Sequence, residues 1–271
     1  MVRLGQGVDR TGRLGDEALA RTFAAIEEYA DLVRQHGVER IRFCATSATR
    51  DAANASDFSD GVLARLGVRP DVLSGVEEAA LAFDGAVREL TPVPAAPVLV
   101  VDIGGGSTEL ILGAPGDDRP AAAHSMDIGS VRLHERHVHT DPPTAAEVAA
   151  VVADIDVALG ACPFDPAAAA TVIGVAGTVT TIAAGVLGLA AYDRDAIDQQ
   201  VLAVADVHDL VDRLVAMTVA ERLALPWMHP GRADVIDAGA LILSGVLRRT
   251  QARGLLVSEC DILDGIAWSM M

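Results

Sequence analysis

The sequence predicts an α/β fold built around a mixed β-sheet. Apolar segments of strand length alternate with longer segments of helical periodicity along most of the 271 residues. This alternation favours a mainly parallel sheet covered by helices. Between residues 98 and 127, three short β-rich segments follow one another closely and predict an antiparallel meander. Because both patterns occur in one chain, we expect parallel and antiparallel strand pairs in the same sheet.

The segment before the meander contains helical and strand signals in alternation. A first helix is predicted over residues 16–36, with Gly37 as its stop signal. Two β-rich segments predict strands at 41–46 and 70–75. Three further helices are expected at 47–54, 57–66 and 77–90, and a proline-rich connector follows at 91–97.

The remainder of the chain continues the alternation. The meander itself predicts strands at 98–103, 108–113 and 121–127. Two later apolar segments predict strands at 170–176 and 255–260. Helices are expected at 130–139, 144–160, 178–190, 206–224, 232–249 and 261–270.

Composition and charge restrict the classes of function. No uncharged apolar run reaches about 18 residues, so no membrane span is predicted. The N-terminal residues show no signal-peptide core, and three well-separated cysteines suggest a reducing, cytoplasmic setting. A net charge of −17 repels nucleic acids and anionic membranes. A polyanionic ligand would therefore need local attraction from backbone amides, arginines and a divalent cation.

The stretch VLVVDIGGGSTELILG, residues 98–113, contains the first candidate site. It has neither the spacing of a dinucleotide-binding loop nor the lysine of a P-loop. We interpret it as strand, glycine turn and strand, in which successive amides can form an anion-binding nest. A plain hairpin turn is the alternative. The predicted phosphate-binding residues are Gly104, Gly105, Gly106, Ser107 and Thr108.

Two carboxylates flank this glycine turn. Asp102 ends the first strand and Glu109 lies near the start of the second, so both can converge on one cation. Mg²⁺ is commonly held by one or two carboxylates together with phosphate oxygens and water. The sequence therefore predicts a divalent metal site at Asp102 and Glu109.

A second candidate loop follows the strand at 170–176. Gly177 and Thr178 begin a helix there, and free amides at a helix N-terminus favour an anion. An ordinary threonine N-cap is the alternative. Together with the glycine turn, this loop suggests two phosphate cradles that face each other across a cleft.

The two loops, DIGGGSTE and GVAGTVTT, resemble those of the exopolyphosphatase and guanosine pentaphosphate phosphatase (Ppx/GppA) family. The segments that extend the resemblance, in order, are ATSATRDA at 45–52, SGVEEA at 74–79, DIGSVRLHE at 127–135, HPGRADVIDAGALIL at 229–243 and VSECDILDGIA at 257–267. The resemblance implies an actin-like fold of two domains with an interdomain cleft. The expected domains are 1–75, with about 258–271 packing back onto it, and 76–257.

One part of the family pattern is missing from this sequence. The family opens with a β-hairpin that carries D-x-G-[ST]-N-[ST], and MVRLGQGVDRTGRLG does not match it. We therefore expect the chain to lack the family's first strands and one wall of its active site.

The resemblance implies hydrolysis of the terminal phosphate of polyphosphate or of guanosine pentaphosphate. Glu78 is the implied general base, which would orient and deprotonate the attacking water. Glu77 and Glu78 both also suit the first turn of a helix, and the sequence does not choose between them. Mg²⁺ is the implied cofactor, and a homodimer is the expected assembly.

Two arginines and a histidine cluster complete the set of candidates. Arg50 follows a strand end and could bridge phosphate oxygens, or it could simply pair with Asp51 at the surface. Arg232 is a weaker phosphate-binding candidate. The cluster HERHVH, residues 134–139, lacks a clear metal-ligand register and is interpreted as a solvated helix end.

Two other functions compete with the hydrolase. A binding or sensor protein for polyphosphate or guanosine tetra- and pentaphosphate would fit the missing hairpin. A sugar kinase or ATPase of the same superfamily is less consistent with SGVEEA, because we locate neither an adenosine pocket nor a sugar-binding aspartate.

Overall fold

The computed structural model describes residues 2–50, 52–117 and 119–271, which form two compact units. The first unit extends to Glu78, and the second runs from Ala79 to Ser269. The predicted domain boundary, after residue 75, falls three residues before the boundary in the structure, after Glu78. Residues 258–269, which we expected to group with the first unit, group instead with the second.

The first unit is a small helical layer beside two very short strands. Phe58 and Val62 of one helix pack with Leu14 and Ile26 in its core. The two strands pair in parallel over only two residues each, where the amides of Asp71 and Leu73 donate to the carbonyls of Phe43 and Ala45. The elements are α1 (Val8–Thr11), α2 (Asp16–Gln35), β1 (Cys44–Ala45), α3 (Ser47–Arg50), α4 (Ala55–Leu66) and β2 (Asp71–Val72). The predicted six-residue strands at 41–46 and 70–75 are thus too long.

The second unit contains a six-stranded mixed sheet in the order β5-β4-β3-β6-β8-β7. The central pairs β3–β6 and β6–β8 are parallel, and the outer pairs are antiparallel. The predicted meander is confirmed, but β7 was missed because a three-residue strand has no detectable period. The strands are β3 (Val98–Ile103), β4 (Thr108–Gly113), β5 (Ala122–Met126), β6 (Thr171–Val175), β7 (Val201–Ala203) and β8 (Gly254–Val257).

Helices cover this sheet, and most follow the predicted positions. The predicted helix at 206–224 is split, because Met217 is extended and Thr218 caps a new helix through a capping box with Glu221. The helices are α5 (Gly75–Val87), α6 (Ser130–His137), α7 (Ala145–Gly160), α8 (Ala176–Val186), α9 (Arg194–Ile197), α10 (Val204–Ala216), α11 (Val219–Leu223), α12 (Ile236–Arg248) and α13 (Ile262–Trp268).

The two faces of the sheet bury different sets of side chains. Leu99 and Val101 of β3 belong to the larger core, with residues of α7, α8, α10 and α12. Val98 and Val100 point to the opposite face and pack with Phe83 of α5. Side-chain alternation along β3 and β4 therefore assigns Asp102 and Glu109 to the face that α5 covers.

Glycines let α13 lie directly against α5. A methyl group at Gly85 would lie 1.9 Å from the Asp261 carbonyl oxygen, and one at Gly265 would lie 2.0 Å from the Leu81 carbonyl oxygen. These contacts explain why the closing helix groups with the second unit. Within the described residues, no helix has both the length and the apolarity needed to cross a membrane.

Candidate active site

Two loops emerge side by side at the carboxyl ends of β3 and β6. The strands are parallel neighbours, with Asp102 paired in register with Val175. From β3 the chain turns to β4 on one side of the sheet, whereas β8 lies on the other side of β6. Open α/β sheets bind ligands at such a topological switch point. The glycine turn and the Gly177 loop are thus adjacent at the carboxyl ends of two neighbouring central strands, although we had expected the two loops to face each other across a cleft.

The carbonyl groups of the glycine turn point toward the N-terminus of α6. The Gly104 carbonyl accepts a hydrogen bond from the Ser130 amide at 3.0 Å. The Gly105 carbonyl accepts from the Val131 and Arg132 amides at 3.0 and 3.1 Å. The Gly106 carbonyl accepts from Arg132 Nε at 2.7 Å. The first amides of α6 are thus satisfied by the turn rather than by a ligand.

This arrangement orients the amide groups of the same turn. In a planar trans peptide, the N–H group points opposite to the C=O group of the preceding residue. The N–H groups of Gly105, Gly106 and Ser107 must therefore point away from α6. Amides of Gly105 and Gly106 meet no acceptor among the residues that the structure describes. The turn consequently presents a row of backbone donors, as a phosphate cradle requires.

The two hydroxyl residues after the glycines have different environments. Ser107 is buried, and its carbonyl closes the turn by accepting from the Gly104 amide at 3.0 Å. Thr108 departs from the expectation of a phosphate contact. Its side chain is completely buried, and its hydroxyl donates to the Ile128 carbonyl at 2.7 Å. Thr108 therefore stabilises the meander instead of lining the cradle.

The two candidate metal ligands lie directly opposite each other on the β3–β4 pair. Asp102 and Glu109 are register partners, and directly opposed residues place their side chains on the same face. Glu109 is buried, and its Oε1 accepts from Ser125 Oγ at 2.7 Å. Two oxygen-donor carboxylates suit Mg²⁺. In the described residues no cluster of three His, Cys, Asp or Glu side chains forms a complete protein metal site, so phosphate and water would supply the other ligands.

The second loop has a strained backbone at its first residue. Ala176 has a φ angle of +65°, a left-handed backbone conformation that residues other than glycine rarely adopt. The next residue, Gly177, lies beneath a guanidinium group, since a methyl placed on it would be 2.3 Å from Arg232 Nη2. Arg232 Nη1 also donates to Thr181 Oγ1 at 3.0 Å. The structure thus brings Arg232 to this loop.

Sequence reasoning missed two side chains near this loop. The Tyr192 hydroxyl lies 2.8 Å from Thr180 Oγ1 and 2.5 Å from Glu259 Oε1. Burial raises the pKa of both the Glu259 carboxyl and the Tyr192 hydroxyl, and the positive charge of Arg232 acts on both groups in the opposite direction. Tyr192 and Glu259 are separated by 67 positions, so no local pattern could have joined them.

In the first unit, Arg50 and Glu78 form an ion pair. Arg50 Nη1 donates to Glu78 Oε2 and to the Leu73 carbonyl, both at 2.7 Å. Glu78 is buried. The suggested partner Asp51 lies outside the described residues.

Glu77 has a different role from its neighbour. Its Oε2 accepts from the Ser74 amide at 3.0 Å and from the Ser74 hydroxyl at 2.7 Å. The hydrogen bond from the Ser74 hydroxyl lowers the pKa of the Glu77 carboxyl. With the Glu77 amide bonded back to Ser74 Oγ at 3.3 Å, the two residues form a capping box for α5. Glu77 is thus committed to the helix N-terminus, and Glu78 is the buried carboxylate.

The histidine cluster is divided between two carboxylates. His134 Nδ1 lies 3.3 Å from Asp237 Oδ1, whereas His137 Nε2 lies 2.8 Å from Asp154 Oδ2. Asp237 is itself buried beside Arg222, whose Nη1 is 3.1 Å from Asp237 Oδ2. These side chains join α6 to its neighbouring helices.

The comparisons with known proteins agree with the motif resemblance. The model of the Ppx/GppA phosphatase family matches residues 1–271. Exopolyphosphatase 2 of Mycobacterium tuberculosis is 46% identical over 283 residues, covering 100% of this chain and 87% of that protein.

Solved structures give the same result for the fold. A crystal structure of an exopolyphosphatase-like protein matches with a TM-score of 0.95 at 42% identity, covering 100% of this chain and 89% of that one. The Ppx/GppA family member of Aquifex aeolicus matches with a TM-score of 0.82 at 30% identity, covering 99% and 86%. The expected fold class is therefore confirmed.

Proposed function

Because the chain belongs to the Ppx/GppA phosphatase family and has its actin-like fold, we propose that it releases the terminal phosphate of inorganic polyphosphate. Hydrolysis of a phosphoanhydride bond is the activity class that the name of its exopolyphosphatase relative indicates. The observation that carries the proposal is the glycine turn, whose carbonyls bond α6 and whose amides therefore point the other way.

In the proposed reaction, water attacks the terminal phosphorus in line with the departing chain. A new P–O bond forms, the bond to the bridging oxygen breaks, and orthophosphate leaves with a chain one phosphate shorter. Glu78 accepts the proton of the attacking water, and Arg50 holds its carboxylate in place. Phosphoryl transfer depends mainly on positioning and on neutralisation of charge.

The remaining roles belong to the glycine turn, the Gly177 loop and the carboxylates beside them. The amides of Gly105 and Gly106 would bind oxygens of the terminal phosphate, and Gly177, Thr178 and Arg232 would bind phosphates further along. Asp102 and Glu109 would hold Mg²⁺, which neutralises phosphate charge when bound. Through such local groups a chain of net charge −17 can bind a polyanion.

The direct test is to measure orthophosphate release from polyphosphate with Mg²⁺ present, and to measure binding of the same polymer by calorimetry. We expect both release and binding, and both should disappear when polyphosphate is replaced by an equal charge of sulfate. Binding without release would reject the hydrolase and favour the polyphosphate sensor. The family resemblance also implies guanosine pentaphosphate as an alternative substrate. Orthophosphate release from guanosine pentaphosphate is therefore measured in the same assay.

A further inference from the structure

A single glycine of α12 packs against the supports of both phosphate loops. A methyl group at Gly239 would lie 2.8 Å from Thr178 Cγ2, 2.9 Å from Thr178 Oγ1 and 3.1 Å from Ser130 Cβ. The α12 backbone is therefore wedged between the start of α8 and the start of α6. Only a residue without a side chain allows both contacts at these distances.

Each of the two contacts leads directly to a cradle. Ser130 donates its amide to the Gly104 carbonyl at 3.0 Å, so its position determines where the glycine turn lies. Thr178 is buried and follows Gly177 in the second loop. A displacement of either residue by α12 would change the distance between the cradles. Gly239 is thus placed to act on ligand binding through two other residues.

The start of α12 is held by a buried charged pair. Arg222 is completely buried, its Nη1 contacts Asp237 Oδ2 at 3.1 Å, and it donates to the Ala233 carbonyl at 3.2 Å. Asp237 is the second residue of α12 and is also buried. A shift of α12 would disturb this pair, and a buried charge that loses its partner is strongly destabilising. An added methyl at Gly239 would therefore displace Thr178 and Ser130 in preference to α12.

We propose that Gly239 is a positioning residue that sets the spacing of the two phosphate cradles. The inference rests on the proposed function, because it concerns how one linear polyanion occupies both loops. A chain that reaches both cradles gains from the second contact only when their spacing is right, as for any bivalent ligand. Orthophosphate occupies one cradle at a time and does not sense the spacing.

The experiment compares two glycines of the same helix. Gly245→Ala is the control, because its methyl would also clash, 2.7 Å from Ile155 Cγ2, but with α7 rather than with the loops. Binding of long-chain polyphosphate and of orthophosphate is measured by calorimetry in the Glu78→Gln protein, so that no polymer is consumed. Thermal unfolding confirms that each variant is folded.

We expect Gly239→Ala to weaken polyphosphate binding about tenfold, or about 1.4 kcal/mol, and to change orthophosphate binding less than about twofold. Gly245→Ala should leave the ratio of the two affinities unchanged. The spacing role would be rejected if Gly239→Ala and Gly245→Ala had the same ratio of polyphosphate to orthophosphate affinity. It would also be rejected if Gly239→Ala weakened the binding of both ligands equally. Absence of polyphosphate binding in the parent protein would reject the proposed function itself.

A compensating variant keeps the test decisive if Gly239→Ala does not fold. Thr178→Ser removes the methyl nearest to the added group and retains the hydroxyl. The double variant Gly239→Ala/Thr178→Ser should recover at least part of the affinity ratio. If the folded double variant has the same ratio of polyphosphate to orthophosphate affinity as the Thr178→Ser protein, the clash has been relieved as expected. A ratio far below that of the Thr178→Ser protein would contradict the assigned contact.

Discussion

Arg50 Nη1 donates to Glu78 Oε2 at 2.7 Å, while the adjacent Glu77 bonds Ser74. This difference separates two carboxylates that the sequence presents as equivalent. Glu78→Gln should lower kcat for polyphosphate by about 10²- to 10⁴-fold, the usual contribution of a general base. KM should change little, because the charge lost is not a phosphate ligand.

Glu77→Gln is the matched control for this substitution. Glutamine can replace glutamate in a capping box, so α5 should keep its start and kcat should stay near the wild-type value. Steady-state phosphate release from both variants decides the assignment. A large loss in Glu77→Gln with an active Glu78→Gln would reverse it.

The Arg50–Glu78 pair should also be visible in stability. Arg50→Ala leaves a buried carboxylate without its ionic partner, which typically costs about 1–3 kcal/mol. Glu78→Ala and the double variant complete a thermodynamic cycle, measured by urea unfolding. We expect a favourable coupling of roughly 0.5–3 kcal/mol for residues in contact. Strictly additive effects would show that the pair contributes nothing.

The proposed metal ligands can be tested through the Mg²⁺ requirement. Asp102→Asn and Glu109→Gln should each raise the Mg²⁺ concentration that gives half-maximal activity by at least tenfold. Mutation of a residue that only supports a metal ligand typically costs about 10- to 100-fold in metal affinity, and loss of a ligand should cost no less. Ser125→Ala removes only the hydrogen bond to Glu109 and should have a smaller effect. Activity titrations with MgCl₂ provide the measurement. Superimposable curves for all four proteins would exclude these carboxylates as ligands.

The start of α7 predicts a pH dependence of stability. A hydrogen bond from the Thr140 hydroxyl, together with the amides of Thr144 and His139, lowers the pKa of Glu147 to about 2. Because the folded-state pKa lies below the unfolded value of 4.5, this stabilisation is present above pH 4.5 and is lost as the pH falls toward 2. Melting temperatures of the wild type and Glu147→Gln should therefore converge on acidification. A constant difference from pH 7 to pH 2 would contradict the assignment.

The left-handed residue at the second loop predicts a stabilising substitution. Ala176→Gly should relieve the strain at φ +65° and raise stability by roughly 1 kcal/mol. Gln199→Gly is the comparison, since Gln199 is also left-handed at φ +60° but its side chain accepts from the Thr91 amide. Its replacement should stabilise less. Thermal unfolding measures both, and a lower melting temperature for Ala176→Gly would contradict the expected relief.

The amino-acid sequence by itself determined the features that lie within one contiguous segment. The strands β3 and β4 match their predicted ranges, because periodicity and a glycine turn are local properties. The same local signal indicated a phosphate cradle and two carboxylates at its edge. Residues 41–46 also carry β propensity, but only two of them find a partner strand, since pairing depends on a distant segment.

Only the tertiary structure decided which side chains share a task. Arg50 and Glu78 are 28 positions apart, and Gly239 meets Ser130 and Thr178 from a helix far along the chain. Such contacts depend on how helices pack on the two faces of the sheet, which no local pattern encodes. The sequence could therefore name both candidate loops, whereas the contact of one α12 glycine with the starts of α6 and α8 is visible only in the tertiary structure.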